Sequence, residues 1–290
     1  MNYYLERIQR GVDFIEARLD EDIELSRVAK EAGLSQWHFQ RIFKALTHET
    51  LKKYIRSRRL AHSLDRLLAT ELRVLDIALL AGFESQEAFA RAFKAAFDLT
   101  PQQYRDLGKK ALFLKKPAFG IAYLEHLQQN VSLTPELYTQ PRTTLVGLRT
   151  HFFSVDSEKN NISEQLPSLW AAFVPAMSQI EHRIEGMAYG VVQQERSDSD
   201  RLVYHAAVAV TAIGSLPPGM VVLEIPDTRY AKFSHRGPAQ DLDRTVSYAY
   251  AGWLAQSDYR HGGGADLEFY GPEYHPTHED SLIHYAIPLG

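Results

Sequence analysis

The 290-residue sequence predicts two domains of different class, an all-α domain followed by an α+β domain. Three observations support this fold class. The first 110 residues have helical periodicity, with Leu5, Ile8 and Val12 on one face of an opening helix. An internal repeat lies within this helical part. Beyond about residue 130 the pattern changes to the alternation of half-buried β-strands.

Charge divides unevenly between the two parts, although the whole chain carries only −4. Residues 25–110 hold 16 Lys and Arg against 9 Asp and Glu, whereas residues 111–290 hold 13 against 20. A basic part can neutralise the phosphates of a nucleic acid, and an acidic part is repelled by them. We therefore expect the acidic part to lie away from any bound duplex.

Composition excludes several classes of protein. With no cysteine, the chain forms no disulfide, no thiolate metal site and no thiol redox sensor. No run approaches the 18 apolar residues that indicate a membrane span, and charges interrupt the opening MNYYLERIQRGVDF where a signal peptide is apolar. We expect a cytoplasmic protein without a membrane partner.

The internal repeat has the pattern of a helix-turn-helix. LSRVAKEAGLSQWHFQRIFK at 25–44 is repeated as VLDIALLAGFESQEAFARAFK at 74–94. Gly33 and Gly82 stand where the chain must turn with a positive φ, and Ser35 and Ser85 can cap the second helix of each copy. The spacing predicts Phe39, Ile42, Phe43, Phe89 and Phe93 on the inward faces.

The outward positions of both second helices are the candidate DNA-binding residues. They offer amide, guanidinium, ammonium and aromatic groups that suit base edges and phosphates. A solvated helix face has a similar composition, so the pattern alone leaves that alternative open. The candidates are Gln36, Trp37, Gln40, Arg41 and Lys44 in the first copy, and Gln86, Glu87, Ala90, Arg91 and Lys94 in the second.

Residues 5–106 resemble the double helix-turn-helix domain of the AraC/XylS regulators. The resemblance rests on SQWHFQRIFK at 35–44, KYIRSRRL at 53–60, AGFESQEAFARAFK at 81–94 and TPQQYR at 100–105. It implies a transcription activator with double-stranded DNA and RNA polymerase as partners. In the similar stress-response branch, positions matching Trp37, Gln40 and Arg41 contact the major groove. Glu87 and Ala90 depart from that branch and are poor base readers, which predicts mainly phosphate contacts for the second helix.

The predicted domain boundaries are residues 1–107, a linker at 108–129, and residues 130–290. Predicted strands include TTLVGLRTHF, LVYHAAVAV, RYAKFSHRG and SLIHYAIPL, separated by helical stretches around Trp170 and Trp253. A weak repeat with an offset close to 80 residues suggests two βαββ halves. Such halves would place two helices on one sheet and leave a groove on the pseudo-twofold axis.

Glu268 is the unusual charged residue of this part, because it stands in the otherwise apolar and aromatic run LEFYG. Glu268 and Tyr270 share a strand face. If that face lines the groove, a carboxylate among aromatic rings would attract a lipophilic cation. The alternative is an edge-strand glutamate in solvent or paired with an arginine.

Residues 130–290 resemble the GyrI-like effector-binding domain, on TTLVGLRTHF, Trp170, the YG at 189–190, RYAKFSHRGP, WLAQSDYR and LEFY. The resemblance implies a small, lipophilic cationic or aromatic effector. We expect no cofactor, metal site or catalytic residue, because the sequence has no nucleophile elbow and His275 and His278 lack other nearby ligands. The implied effector-binding residues are Glu268, Tyr270 and Trp253, with Trp170, Tyr189, Tyr204 and Tyr230. Two alternatives remain: a hydrolase acting through Trp253 and Glu268, or a protein-interaction module.

Overall fold

The structure, a computed structural model, describes residues 3–108 and 134–290. Its N-terminal part is helical throughout, as the periodicity predicts. The helices are α1 (Tyr3–Glu16), α2 (Leu25–Ala32), α3 (Gln36–Thr47), α4 (Leu51–Ala69), α5 (Val74–Leu80), α6 (Gln86–Phe97) and α7 (Pro101–Leu107). Most of the predicted linker at 108–129 lies outside the described residues.

Both copies of the repeat form a helix, a tight turn and a second helix. Gly33 and Gly82 have φ angles of 66° and 75°, which confirms the predicted left-handed turns. Ser35 accepts a hydrogen bond from the backbone of His38, and Ser85 accepts one from Ala88. The phenylalanines at 39, 43, 89 and 93 and Ile42 are fully buried, which confirms the predicted inward faces.

The C-terminal part is one eight-stranded antiparallel sheet with helices, and it confirms the α+β prediction. Its strands are β1 (Glu136–Gln140), β2 (Thr143–Phe153), β3 (Arg183–Gln194), β4 (Arg201–Val210), β5 (Val221–Ile225), β6 (Thr228–Arg236), β7 (Asp266–Tyr270) and β8 (Leu282–Pro288). The order across the sheet is β1-β6-β8-β7-β3-β4-β2-β5. The central pair, β3 and β7, joins the two halves.

Each half contributes one helical segment, as a pair of βαββ units requires. Helix α8 (Ile162–Ala176) follows β2 and packs on it, and α9 (Leu242–Ser247) follows β6. Helix α9 continues as a π-helical turn over Tyr248–Trp253 and a 3₁₀ turn over Leu254–Gln256. Such π turns are rare and occur frequently at functional sites.

The two helix-turn-helix units differ in how their hydrophobic cores relate to the C-terminal domain. Buried residues of α1 to α4, including Ile8 and Phe39, form one continuous cluster with C-terminal residues such as Phe173 and Tyr285. The second helix-turn-helix unit has a cluster of its own, around Phe89 and Phe93. The first unit is therefore packed against the C-terminal domain. No helix in the described ranges is long and apolar enough to cross a membrane.

Candidate functional site

Glu268 lies at the centre of the sheet. Strand β7 is paired on one side with β8 and on the other with β3, where Glu268 stands opposite Gly190. The side chain is only 7% exposed. The alternative of an edge-strand glutamate in solvent is therefore wrong, and the partners of this carboxylate are tyrosines.

Two phenols hold the same oxygen of the Glu268 carboxylate. Tyr204 and Tyr270 donate to Oε2 at 2.5 and 2.7 Å, and the Trp170 indole N–H donates to the Tyr204 oxygen at 3.2 Å. Among the described residues, no group donates to Oε1. The carboxylate therefore keeps one oxygen for a further donor or cation.

Burial raises the pKa of Glu268 above its usual value, and the hydrogen bonds from the two phenols oppose that shift. Burial, followed by the charge of Glu268, raises the pKa of Tyr204 well above its usual value. The phenols thus remain donors at every physiological pH. The site is a poorly solvated carboxyl group, and its ionised form attracts cations.

Aromatic rings cover the carboxylate on the solvent side. The ring of Trp170 meets that of Tyr270 edge to face at a centroid distance of 5.0 Å, and Tyr274 meets Tyr270 at 4.7 Å. All three rings are half-buried, so part of each ring is accessible to solvent. Their π faces would hold a lipophilic cation through cation–π contacts.

Gly190 is a site residue that sequence reasoning missed. A Cβ at this position would lie 2.1 Å from the Tyr204 hydroxyl and 2.3 Å from Oε2 of Glu268. Only glycine lets the phenol reach the carboxylate across the β3–β7 pair. The glycine of the YG dipeptide at 189–190 is the sequence signal for this position.

The predicted effector residues do not all meet at Glu268. Trp253 packs on Phe233 and Tyr259, with the tryptophan and Tyr259 rings stacked at 5.5 Å. Tyr189 stands opposite Phe269, one residue out of phase with Glu268, so its side chain lies on the other sheet face. Tyr230 also lies there, with its hydroxyl bonded to the carbonyl of Ala265. The structure thus gathers only Tyr270, Trp170 and Tyr204 around the carboxylate.

A second buried carboxylate, Asp266, shares the β7 face with Glu268, and no sequence pattern marks it as a site residue. Its Oδ2 accepts from Tyr250 at 2.6 Å and from Tyr285, and its Oδ1 pairs with His261 at 3.1 Å. Asp266 is fully buried and has three partners. It therefore connects β7 to the π-helical turn of α9 through Tyr250.

The two candidate DNA-reading helices have opposite surroundings. On α6, the side chains of Gln86, Glu87, Arg91 and Lys94 are exposed and Ala90 is half-buried, as a free reading face requires. On α3, Gln36, Trp37, Gln40 and Arg41 are 7%, 3%, 3% and 6% exposed. These α3 residues face away from the core of their own unit, as predicted, but they contact the C-terminal domain.

Arg41 makes the principal contact of this interface. Its guanidinium pairs with Asp156, on the loop after β2, at 2.9 Å and with Asp243 of α9 at 3.3 Å. Burial alone would lower the pKa of Arg41, but the charges of Asp156 and Asp243 raise it above its usual value. The arginine also lies over the ring of Tyr250, 5.8 Å from its centroid. It therefore stays charged inside the interface.

Other contacts extend the interface along α3. The backbone N–H of Gln36 donates to the carbonyl of Ser197 at 2.9 Å, and Lys44 Nζ donates to the carbonyl of Val155 at 2.5 Å. Trp37 meets Tyr250 edge to face at 5.8 Å. In the absence of DNA the acidic domain is docked on α3, where its carboxylates pair with the basic side chain of Arg41.

Several buried polar atoms on the docked face of α3 lack hydrogen-bond partners among the described residues. Buried atoms without a hydrogen-bond partner in the described parts of the chain include Trp37 Nε1, Gln40 Oε1 and Arg41 Nε. A buried polar atom left in that state costs about 1–3 kcal/mol. Three such atoms lie on this face of α3, and each reduces the stability of the contact.

Comparison with known families identifies both parts of the chain. Residues 28–106 match the family described as a helix-turn-helix domain. Residues 134–289 match the family described as a GyrI-like small molecule binding domain, a match that spans more than half of the chain.

Curated proteins are similar over similar ranges. The right origin-binding protein of Escherichia coli (strain K12) is 29% identical over 261 residues, which cover 89% of this chain and 88% of that protein. The transcriptional regulator Rob of Salmonella typhimurium is 27% identical over 260 residues, with the same coverage. The regulatory protein SoxS of Salmonella typhimurium is 42% identical over 98 residues, which cover 34% of this chain and 92% of that protein.

Proposed function

Since the chain belongs to the family of the GyrI-like small molecule binding domain, here joined to an AraC-type helix-turn-helix domain, we propose that it activates transcription from specific DNA sites under the control of a small effector. One observation carries the proposal. The same chain holds two capped helix-turn-helix units and a buried carboxylate enclosed by aromatic rings. The proposal places the protein in the cytoplasm, with double-stranded DNA and RNA polymerase as partners.

The DNA-binding role is assigned to the faces of α3 and α6. Arg41, Gln40 and Trp37 supply the base contacts of the first helix, since a guanidinium and an amide can each contact a base edge with two hydrogen bonds. Arg91 and Lys94 of α6 are exposed and supply phosphate contacts. The neighbouring Glu87 can accept only from cytosine and Ala90 offers only a methyl group, so both are poor base readers. Base reading is thus concentrated in α3.

The effector proposed for the C-terminal domain is a lipophilic aromatic cation. Glu268 supplies the countercharge through its free oxygen, and Trp170 and Tyr270 supply ring faces beside it. Trp253 is kept as a proposed effector-binding residue, although it lies in the second βαββ unit and contacts Phe233 and Tyr259, not Glu268. Tyr189 and Tyr230 support the sheet from its opposite face.

No enzymatic activity is proposed. The hydrolase alternative pairs Trp253 with Glu268, but Trp253 packs on Phe233 and Tyr259 while Glu268 is bonded to two phenols. The two residues that this alternative requires therefore have separate partners, and the structure does not bring them together. Conversion of the cation to a product by the purified chain would refute this part of the proposal.

Selection of bound fragments from a random DNA pool by the full chain tests the DNA-binding function. We expect a defined site, and we expect Arg91→Ala to weaken binding and reduce the slope of log K against log salt by about 1. Arg142→Ala removes another exposed arginine, one that lies in the C-terminal domain, and is the matched control. Enrichment of no sequence, or equal losses for both variants, would refute the assignment.

Methyltriphenylphosphonium and its neutral relative triphenylphosphine oxide test the effector class. Fluorescence titration of the full chain should show binding of the cation, because Trp170 lies beside Tyr270 at the proposed site. Tighter binding of the neutral compound would replace the cationic effector by a neutral one.

A further inference from the structure

We propose that the C-terminal domain is an internal competitor of DNA for the first recognition helix, and that a cation bound at Glu268 releases this helix. The inference rests on the proposed function, because it assigns base reading to α3. It goes beyond that function by giving the link between effector and DNA binding. Its physical basis is the contrast between the covered face of α3 and the exposed face of α6.

The two interactions of α3 exclude each other sterically. A recognition helix reads bases with its outer face inside the major groove, a space about 12 Å wide that admits little besides the helix. In this structure that face is covered by the π-helical turn of α9 and by the loop that carries Asp156. The same side chains cannot contact base edges until the domain moves away.

The acidic domain presents to α3 the kind of groups that DNA presents. Arg41 is bound by the carboxylates of Asp156 and Asp243, which occupy the place of acceptors on a base or phosphate. Lys44 donates to the carbonyl of Val155 in the same manner. The net negative charge of residues 111–290 thus serves as a substitute for the polyanion.

The docked state satisfies α3 less completely than base edges would. Trp37 Nε1, Gln40 Oε1 and Arg41 Nε are buried without a partner in the part of the chain that the structure describes. Donors and acceptors in the major groove can pair with such atoms. The contact is therefore reversible, and a specific duplex can replace it.

The position of Arg41 gives the direction of the effector's action. Arg41 lies over Tyr250, whose hydroxyl donates to Asp266, and Asp266 shares a strand face with Glu268. Burial is the largest influence on the pKa of Glu268 and raises it, and the two nearby charges act in opposite directions, Asp266 raising this pKa and Arg41 lowering it. A cation at Glu268 and the docked guanidinium repel each other, so binding of one weakens binding of the other.

A reversible covalent lock tests the competition directly. The hydrogen bond from Gln36 N to Ser197 O brings two backbones within reach of a disulfide, and the chain contains no other cysteine. In Gln36→Cys/Ser197→Cys, oxidation should weaken binding to the selected DNA site by about tenfold or more, and reduction of the same sample should restore it. Equal affinity of the oxidised and reduced forms would overturn the proposal.

A charge reversal opens the interface without changing any residue of the reading face. Asp243→Arg places a cation beside Arg41, and Asp241→Arg makes the same change two residues away, where the carboxylate pairs with Arg244. We expect Asp243→Arg to raise DNA affinity about tenfold and to speed hydrogen exchange of the α3 amides. Asp241→Arg, the control, should change neither. Unchanged exchange in α3 would overturn the docked state.

The exchange measurement separates the two possible failures. If no form of the protein selects DNA but Asp243→Arg exposes α3, the proposed function fails and the docking stands. If DNA is selected but neither the lock nor the charge reversal alters its affinity, the proposed function stands and the competition fails. With methyltriphenylphosphonium, DNA affinity should rise in the reduced protein and not in the oxidised one, and a fall in the reduced protein would overturn the release.

Discussion

The substitution Glu268→Gln separates charge from shape at the proposed effector site. Glutamine keeps the volume and one carbonyl oxygen, so Tyr204 and Tyr270 retain an acceptor for the hydrogen bonds now made at 2.5 and 2.7 Å. A ligand cation about 5 Å from the carboxylate, at an effective dielectric constant of about 20, is stabilised by about 3 kcal/mol. We therefore expect Kd for methyltriphenylphosphonium to rise on the order of 100-fold.

Titration followed by fluorescence measures this effect for the cation and for triphenylphosphine oxide. The neutral compound should bind wild type and Glu268→Gln alike. Glu273→Gln makes the same chemical change at an exposed position and is the matched control. Equal losses for both compounds would refute the reasoning, because Glu268 would then act through shape alone.

The pH dependence gives a second measurement on the same pair of proteins. Burial raises the pKa of Glu268 above its usual value of 4.5, so the folded protein takes up the proton more readily than the unfolded chain. The stabilisation that this proton provides is lost as pH rises through the raised pKa, so Glu268→Gln should not lower Tm at neutral pH. Cation affinity should fall as pH falls through that pKa in wild type and stay constant in Glu268→Gln.

Three further predictions concern other positions. Arg41→Ala should reduce the difference in binding free energy between specific and random-sequence DNA by about 1–3 kcal/mol, because a bidentate base contact is lost. Competition binding measures this difference. Gly190→Ala brings a Cβ to 2.3 Å from Glu268 Oε2, so chemical denaturation should show a loss of about 1–3 kcal/mol and titration a weaker cation. Burial and the neighbouring His261 lower the pKa of His38 well below its usual 6.5. Protonation of His38 is therefore unfavourable in the docked state, so docking of α3 should weaken as pH falls below 6.5. Hydrogen exchange of the α3 amides measures this effect, and unchanged exchange would refute it.

Local patterns were sufficient to predict the secondary structure and the fold class. The positive φ of Gly33 and the capping by Ser35 follow from steric and hydrogen-bonding requirements within a few residues. Strand alternation in RYAKFSHRG predicted a strand found at Thr228–Arg236. The sequence also marked Glu268 as a candidate site residue, because a charged side chain in an apolar and aromatic strand costs free energy unless it has a partner.

Only the tertiary structure decided which aromatic rings meet Glu268. Strand register places Tyr204, 64 residues away in sequence, against the carboxylate and turns Tyr189 to the other face. A shift of one residue would exchange the two faces, and composition alone does not encode that register. The space that Gly190 leaves for the Tyr204 hydroxyl is likewise a property of two paired strands.

The sequence by itself determined that α3 has an outward face with basic and amide side chains, and only the tertiary structure decided what covers it. Arg41 meets Asp243 across 202 residues, and this contact depends on how two separately patterned domains dock. Helical periodicity marks a face as outward from its own core, and it carries no information about a second domain. The exposed face of α6 and the covered face of α3 therefore look alike in sequence, although their surroundings differ.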